Sequence, residues 1–273
     1  MAPTIRCAFC DQVREEAEED LISRWAGTVL RTLYGPKLDI VHSTWQLDAD
    51  GATVVQHAHK RRQTYSAVKL KGVCRTCNNV WMSQIENAAK PIVEPMIRGR
   101  RTGIPVRDQR TLATWLTLKT LEADLIPHNA PTSATADFHA FYSTPAPPPG
   151  FTADLGYINL QGKPDLYYHI NPHTAASPIG GVATGQPLCV EFSFSLGPVF
   201  FQTAYINVAG RQYPEPPHRE LSPYWLTIWP PKREANWPPP YSFTRDMIPS
   251  GLGNMPEAKE WIAQHLRSDP ESR

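Results

Sequence analysis

No apolar run in the chain approaches the ~18–20 residues a membrane span requires, and the opening stretch MAPTIRCAFCDQVREE has neither the basic start nor the apolar core of an export signal. A cytoplasmic location without membrane contact is the expectation. Cysteine is scarce and odd in number, five in all, which makes a disulfide framework a poor explanation. Charged residues make up 19% against 41% hydrophobic residues, so disorder is excluded as the main state. No internal repeat is visible, and residues 60–110 carry neither an aromatic stacking platform nor a recognition-helix signature.

At 273 residues the chain is long enough for two domains, since single cores stop growing near ~250–300 residues. Its net charge of +1 conceals an asymmetry: residues 56–110 hold twelve Lys or Arg against three acids, a local +9 that leaves −8 for the rest. Six of the ten residues from Asp11 to Asp20 are acidic. A basic segment beside a carboxylate cluster suits a polyanion groove with a cation site in it, or else a solvated surface of scattered charge. On the first reading Arg61, Arg62, Lys69, Lys71, Arg98, Arg100 and Arg101 contact phosphates, with little sequence preference and steep salt dependence.

The cysteines form two CxxC pairs, Cys7 with Cys10 and Cys74 with Cys77, while Cys189 stands alone in a strand-like run as a small buried hydrophobe. Two such pairs supply the four thiolates that tetrahedral structural zinc prefers; redox dithiols are the competing reading. The stretch between Cys10 and Cys74 is longer than the spacing of common zinc ribbons, leaving room for an element that does chemistry.

Residues 1–130 read as helix-rich and the remainder as strand-rich, which gives an α+β fold. Leu21, Ile22, Trp25, Val29, Leu30 and Leu33 predict helix within 15–33, in one or two pieces, stopped by Gly35-Pro36. Residues 45–56 and 64–73 read as strands with a hairpin dipeptide, Asp50-Gly51. A helix over 77–89 is ended by Pro91 and Pro95, and a second over 108–126, along Leu112, Trp115, Leu116, Lys119 and Ala123, packs on the zinc module and stops at Pro127. Strands are expected over 155–160, 166–170, 189–196, 199–208 and 224–229, the third alternating Val190, Phe192, Phe194, Leu196 against Glu191, Ser193, Ser195. They form a mainly antiparallel sheet closed by a terminal helix over 256–266. The domain expectation is a module over 1–127, a proline-rich linker over 128–150 and a β-rich domain over 151–273. The Pro and Trp clusters near 214–241 read as ordered loops over a sheet edge, or as ligands for a proline-recognition domain.

Three stretches, CysAlaPheCys at 7–10, GluGluAspLeuIleSerArgTrp at 18–25 and CysArgThrCysAsnAsnValTrpMetSerGlnIleGlu at 74–86, together resemble a zinc-knuckle HNH (ββα-metal, His-Me finger) endonuclease domain of the kind met in actinobacterial and phage proteins. The resemblance covers roughly residues 7–95. It implies a metal-dependent DNA endonuclease with structural zinc and a catalytic Mg²⁺ or Mn²⁺, suited to phage–host conflict or DNA processing. Glu19 and Asn78 match the two cation-ligand positions of the family. Asp20 stands where the family has its catalytic His, LeuIleSer replaces the usual Ile-Pro, and Val80 replaces a Gly before Trp81.

Phosphodiester cleavage needs a divalent cation on hard oxygen donors and a base to deprotonate water. A carboxylate beside a cation is a weak base, although the metal acidifies water itself, so Asp20 makes a divergent base. His57 and His59, two apart on a strand, or His42 are alternative bases or ordinary surface histidines. Glu86 is an additional ligand or a solvent-exposed acid. Two other functions stay open: a degenerate zinc module that binds nucleic acid without cutting it, and an interaction or inhibitor protein that binds a protein partner through its β-rich half.

Overall fold

Cys7 and Cys10 sit in the turn between two short antiparallel strands, β1 (Thr4–Arg6) and β2 (Val13–Glu15). The computed structural model describes residues 3–47, 54–65, 67–126, 135–160, 165–173, 189–206 and 223–244. Asp11 closes the turn at φ 57°, a left-handed conformation that a short polar side chain tolerates, and Arg6 reaches its Oδ1 and its carbonyl at 3.1 Å each.

The chain then stays extended where helix is expected. Glu19–Asp20 form β3, opposite Leu70 and Lys69 of β6 (Lys69–Leu70), and backbone bonds from Ala17 to Val73 (2.8 Å) and Leu21 to Val68 (3.1 Å) continue the pairing. A helix here would stack Glu15 on Glu19 and Glu16 on Asp20 at i,i+4, where like charges repel; an extended chain separates them. The helix starts at Arg24. α1 (Arg24–Tyr34) buries Ala26, Val29 and Leu30, and Gly35 at φ 92° ends it.

β4 (Leu38–Leu47) and β5 (Val54–Gln63) form a hairpin in which Leu38 faces Gln63 and Leu47 faces Val54, so the strands start earlier than expected. The Asp50-Gly51 turn lies outside the described residues. After Cys74 a π-helical turn over Cys77–Met82 leads directly into α2 (Ser83–Ile97). Pro91 and Pro95 do not end this helix. They sit four residues apart on its exposed and half-buried side, where the carbonyls they leave unpaired can meet water, while Ile92, Val93, Met96 and Ile97 are buried.

A short strand, β7 (Thr102–Ile104), connects α2 to α3 (Val106–Asp124), which packs against α2 and the sheet. From Leu112 to Ala123 only Thr114 of α3 escapes full burial, so this is a central helix. Within the stretch expected as a linker, α4 (Thr135–Ser143) inserts Phe138 and Phe141 beside the cysteines; their i,i+3 spacing puts both rings on one face.

The C-terminal strands are β8 (Phe151–Tyr157), β9 (Asp165–His173), β10 (Cys189–Leu196), β11 (Val199–Ile206) and β12 (Trp225–Trp229). They join the earlier hairpin in one seven-stranded sheet of order β12-β8-β11-β10-β9-β4-β5, antiparallel except for β4 on β9. The expected module and the β-rich region therefore share a sheet, and one buried core runs from Leu21 and Leu30 through Trp115 to Phe201 and Trp237.

Gly197, at φ 60°, makes the β10–β11 turn. A Cβ there would come within 3.1 Å of the Ile97 carbonyl and the Tyr34 hydroxyl, so the turn is wedged against the ends of α1 and α2. The polar side of β10 does not face water: Ser193 and Ser195 are buried. One face of the sheet lies under Trp115 of α3, whose ring is 5.8 Å from Phe194 and 5.4 Å from Phe201. The other carries a cluster of Ile158, Phe200, Trp225 and Phe243. Of the Trp-Pro region, residues 223–241 are described: β13 (Ala235–Trp237) pairs with β7, and the buried Trp237 donates from its indole to the Gly156 carbonyl of β8, while residues 214–222 lie outside the described residues. The terminal helix expected over 256–266 lies outside the described residues. No described helix is long and apolar enough to cross a membrane.

Candidate metal centre and buried carboxylate cluster

The two CxxC pairs, far apart in sequence, meet in space. The sulfurs of Cys7, Cys10, Cys74 and Cys77 all lie within 4.8 Å of one another, and Cys10 Sγ is 3.8 Å from Cys74 Sγ. Zn–S bonds of ~2.3 Å in a tetrahedron put sulfurs about 3.8 Å apart, so the spacing fits a tetrahedral ion. The Cys74 amide donates to Cys7 Sγ and the Cys77 amide to Cys74 Sγ, both at 3.4 Å, as amides do at thiolates. A hydrogen bond from Cys77 pulls Cys7 down to about 4 against the effect of burial; Cys77 is raised by that bond and by burial. The four thiols can hold a metal ion, and Phe9, Met82, Leu118, Leu121, Phe138 and Phe141 pack around them.

Asn78 follows Cys77. Successive residues of the π-helical turn project roughly a quarter-turn apart, so one can serve the thiol cluster while the next turns toward β3. The Asn78 amide bonds back to the Cys74 carbonyl at 3.0 Å, and Ser83 Oγ donates to the Asn78 carbonyl at 2.9 Å. Across from it, Glu19 is 9% exposed. Burial raises its pKa above the usual carboxylate range; Lys119 opposes this, Glu86 and Asp20 reinforce it, and the nearby Asn78 side chain opposes it. The structure thus brings Glu19 and Asn78 together.

Asp20 is also buried, and its Oδ1 lies 2.7 Å from Lys69 Nζ across the β3–β6 pair. Expected as a base, Asp20 forms an ion pair with a residue expected to contact nucleic acid. Glu86 is not the solvent-exposed acid of one sequence reading: its side chain is 15% exposed, accepts a hydrogen bond from Ser23 Oγ, and lies 2.7 Å from Lys119 Nζ.

Lys119 joins the cluster from the buried face of α3. Its side chain is 2% exposed, and Nζ is also 2.7 Å from Glu122 Oε2. Burial alone would lower its pKa, but Glu122, Glu86 and Glu19 together hold it above the ordinary lysine value. Burial pushes Glu122 up to about 8 against the pull of Lys119, and its second oxygen has no hydrogen-bond partner among the described residues. Ser23, Lys119 and Glu122 escaped the sequence reading as site residues. The available signal was a lysine on an otherwise apolar helical stripe.

Of the other expected residues, Arg100 and Arg101 are exposed with no ion pair among the described residues, while Arg62 and Lys71 are exposed. Arg98 is tied to Glu94 at 2.9 Å. The side chains of Arg61, His42, His57 and His59 lie outside the described part; in the backbone, His42 pairs in register with His59. Comparison with models of known families, with curated proteins and with solved structures finds no match.

Proposed function

We propose that the chain is a zinc-stabilised, HNH-like metal-dependent DNA endonuclease in which Glu19 and Asn78 hold a Mg²⁺ or Mn²⁺ ion. The observation that carries the reading is their convergence: an antiparallel strand pair, β3 with β6, delivers Glu19 to the first turn of a cysteine-anchored helix that delivers Asn78. A carboxylate and an amide oxygen are the hard donors Mg²⁺ accepts, and they leave positions for water and substrate phosphate. Zinc belongs with the four thiols, which suit a soft, tetrahedral site.

The residues divide the work. The zinc-loaded knuckles fix the start of the helix, and so Asn78, against β3. Ser23 and Lys119 orient Glu86 beside Glu19, and the buried ammonium favours the ionised Glu19 that a cation requires. The cation, when bound, neutralises charge on the scissile phosphate and acidifies the attacking water. Asp20, held by Lys69, directly follows Glu19 in the chain and takes the water's proton inefficiently.

Incubation of plasmid and single-stranded DNA with the zinc-loaded protein in magnesium, manganese, nickel or no added metal tests the proposal. Slow cleavage dependent on a divalent ion, lost in Glu19→Gln and Asn78→Ala, is expected. Absence of cleavage in every metal rejects it. The Asp20–Lys69 ion pair favours a second reading, a module that binds nucleic acid without cutting, and binding without cleavage would establish that one.

A further inference from the structure

The pairing of β7 with β13 builds a surface that neither segment has alone. Ala235 lies opposite Ile104 and Trp237 opposite Thr102, so Lys232 and Arg233, which precede β13, fall beside the start of α3, where Arg107 and Arg110 sit. Arg100 and Arg101 flank the other end of β7. Gln109 fixes the join: fully buried, it donates from Nε2 to the Ile104 carbonyl at 2.8 Å and to the Arg233 carbonyl at 2.6 Å. Arginines from residues 100–110 and a lysine and an arginine from residues 232–233 therefore occupy one corner.

All six cations are exposed, and the same two stretches carry two carboxylates, Asp108 and Glu234. Asp108 is engaged with Arg107 at 2.9 Å. Arg100, Arg101, Arg110 and Arg233 form no ion pair among the described residues. An isolated cluster of like charge destabilises a fold by self-repulsion, and here a buried glutamine holds two chain segments in place to form one. The exposed N-terminus of the 19-residue α3 adds its partial positive charge.

We propose that this corner is a docking surface for the phosphate backbone of double-stranded nucleic acid, an inference that rests on the nuclease reading only for the choice of polyanion. Arginine predominates, and its planar fork matches phosphate oxygens in a way lysine does not. Residues 98–110 and 230–236, the two stretches that build the corner, contain no aromatic residue, so they offer no platform for the stacking that holds single strands. With strand spacing to Pro105 and helical rise beyond it, Arg101 and Arg107 lie at most about 16 Å apart, enough to follow a few phosphates on one face of a duplex. Four free arginines then give a salt slope near −3.6, at about −0.9 per neutralised phosphate.

The test is fluorescence anisotropy of a 20-base-pair duplex with the zinc-loaded full chain, without added magnesium or manganese, from 50 to 200 mM salt. Two variant pairs, Arg100→Glu with Arg101→Glu and Arg110→Glu with Arg233→Glu, each lie at exposed positions, and Arg24→Glu on α1 is the control. Each pair should weaken duplex binding about 30-fold or more and reduce the salt slope by about 2, with the control unchanged. Wild-type affinity in both pairs, an equal loss in the control, or tighter binding to vesicles of phosphatidylcholine and phosphatidylserine, mixed two parts to one, than to duplex overturns the proposal. If wild type cleaves DNA while both pairs bind as wild type, the corner fails and the nuclease reading stands. If nothing cleaves but binding falls as stated, the nuclease reading fails and the corner stands.

Discussion

Replacing Lys119 with methionine keeps the length of the side chain and removes the ammonium from between Glu86 and Glu122, each 2.7 Å away. Breaking a buried ion pair by deleting one partner costs about 3–5 kcal/mol, because the carboxylate left behind has lost its compensation. The lower end applies here. Glu122, already pushed up to about 8, rises further and stays protonated at neutral pH, while Glu86 keeps Ser23 and some contact with solvent. A loss near 3 kcal/mol is a large share of a typical ~5–15 kcal/mol stability. With a slope of about 3 kcal/mol/M it lowers the urea midpoint by about 1 M. The assay is urea unfolding of zinc-loaded protein followed by fluorescence. Adding Glu122→Leu to Lys119→Met should recover part of the loss, since it removes the buried, protonated carboxyl that has lost its hydrogen-bond partner. A Lys119→Met midpoint within 0.3 M of wild type, about 1 kcal/mol at that slope, would refute the placement of the ammonium among the three glutamates.

The freshly purified protein should contain about one zinc per chain by elemental analysis, and Cys74→Ser should lose it along with several kcal/mol of stability; zinc-free wild type refutes the metal centre. Stability should carry a signature of Glu122, whose folded pKa of about 8 exceeds the unfolded value of about 4.3. Between these values the native state holds the extra proton, so this contribution is complete below the unfolded pKa and is lost as pH rises through about 8. Wild type should therefore lose about 2 kcal/mol relative to Glu122→Gln between pH 5 and 7, the comparison cancelling the opposite pH dependence of zinc binding, and a flat difference refutes it. Asp20→His should accelerate DNA cleavage, at most by the ~10²–10⁴-fold typical of a general base, because the neighbouring Lys69 keeps the imidazole neutral. A folded, zinc-loaded Asp20→His protein no faster than wild type would show that the base does not limit the reaction.

Where local pattern and tertiary packing agree, the sequence places the element and its turn. The β10–β11 hairpin is an instance: its alternation and its glycine turn match, because Gly197 is the residue that supplies the positive φ. It fails where a distant segment decides. Residues 15–20 carry no periodicity that distinguishes strand from helix, and what holds them extended is a partner far along the chain at 68–74. Pro91 and Pro95 look like stop signals, but α2 gains more from burying Ile92, Val93, Met96 and Ile97 against α3 and its neighbours than it loses in two missing hydrogen bonds on its other side. The alternation in β10 shows a polar face, yet the number of layers covering a sheet is set by the rest of the chain.

The site divides in the same way. Four cysteines are legible because the CxxC spacing is itself the geometric requirement: one tight turn presents two ligands, and only the long-range meeting of the pairs is left for the fold to provide. The nearness of Glu19 to Asn78 follows the order of the motif. Lys119 is not legible, since its spacing along α3 matches that of core residues and its partners come from α2, the segment before α1, and its own next turn. A lysine on such a stripe is worth attention in any sequence: an ammonium cannot be buried without carboxylates to meet it, so its position requires acids elsewhere whose own sequence context suggests only surface. Glu86, Glu122 and Glu19 are those acids here. Arg233 follows the same logic at the surface, because its place among the arginines of α3 is fixed by Gln109, 124 positions away, and by a strand pair of three residues. Charge counted along the sequence finds the basic segment 56–110; only the fold adds residues 232–233 to its corner.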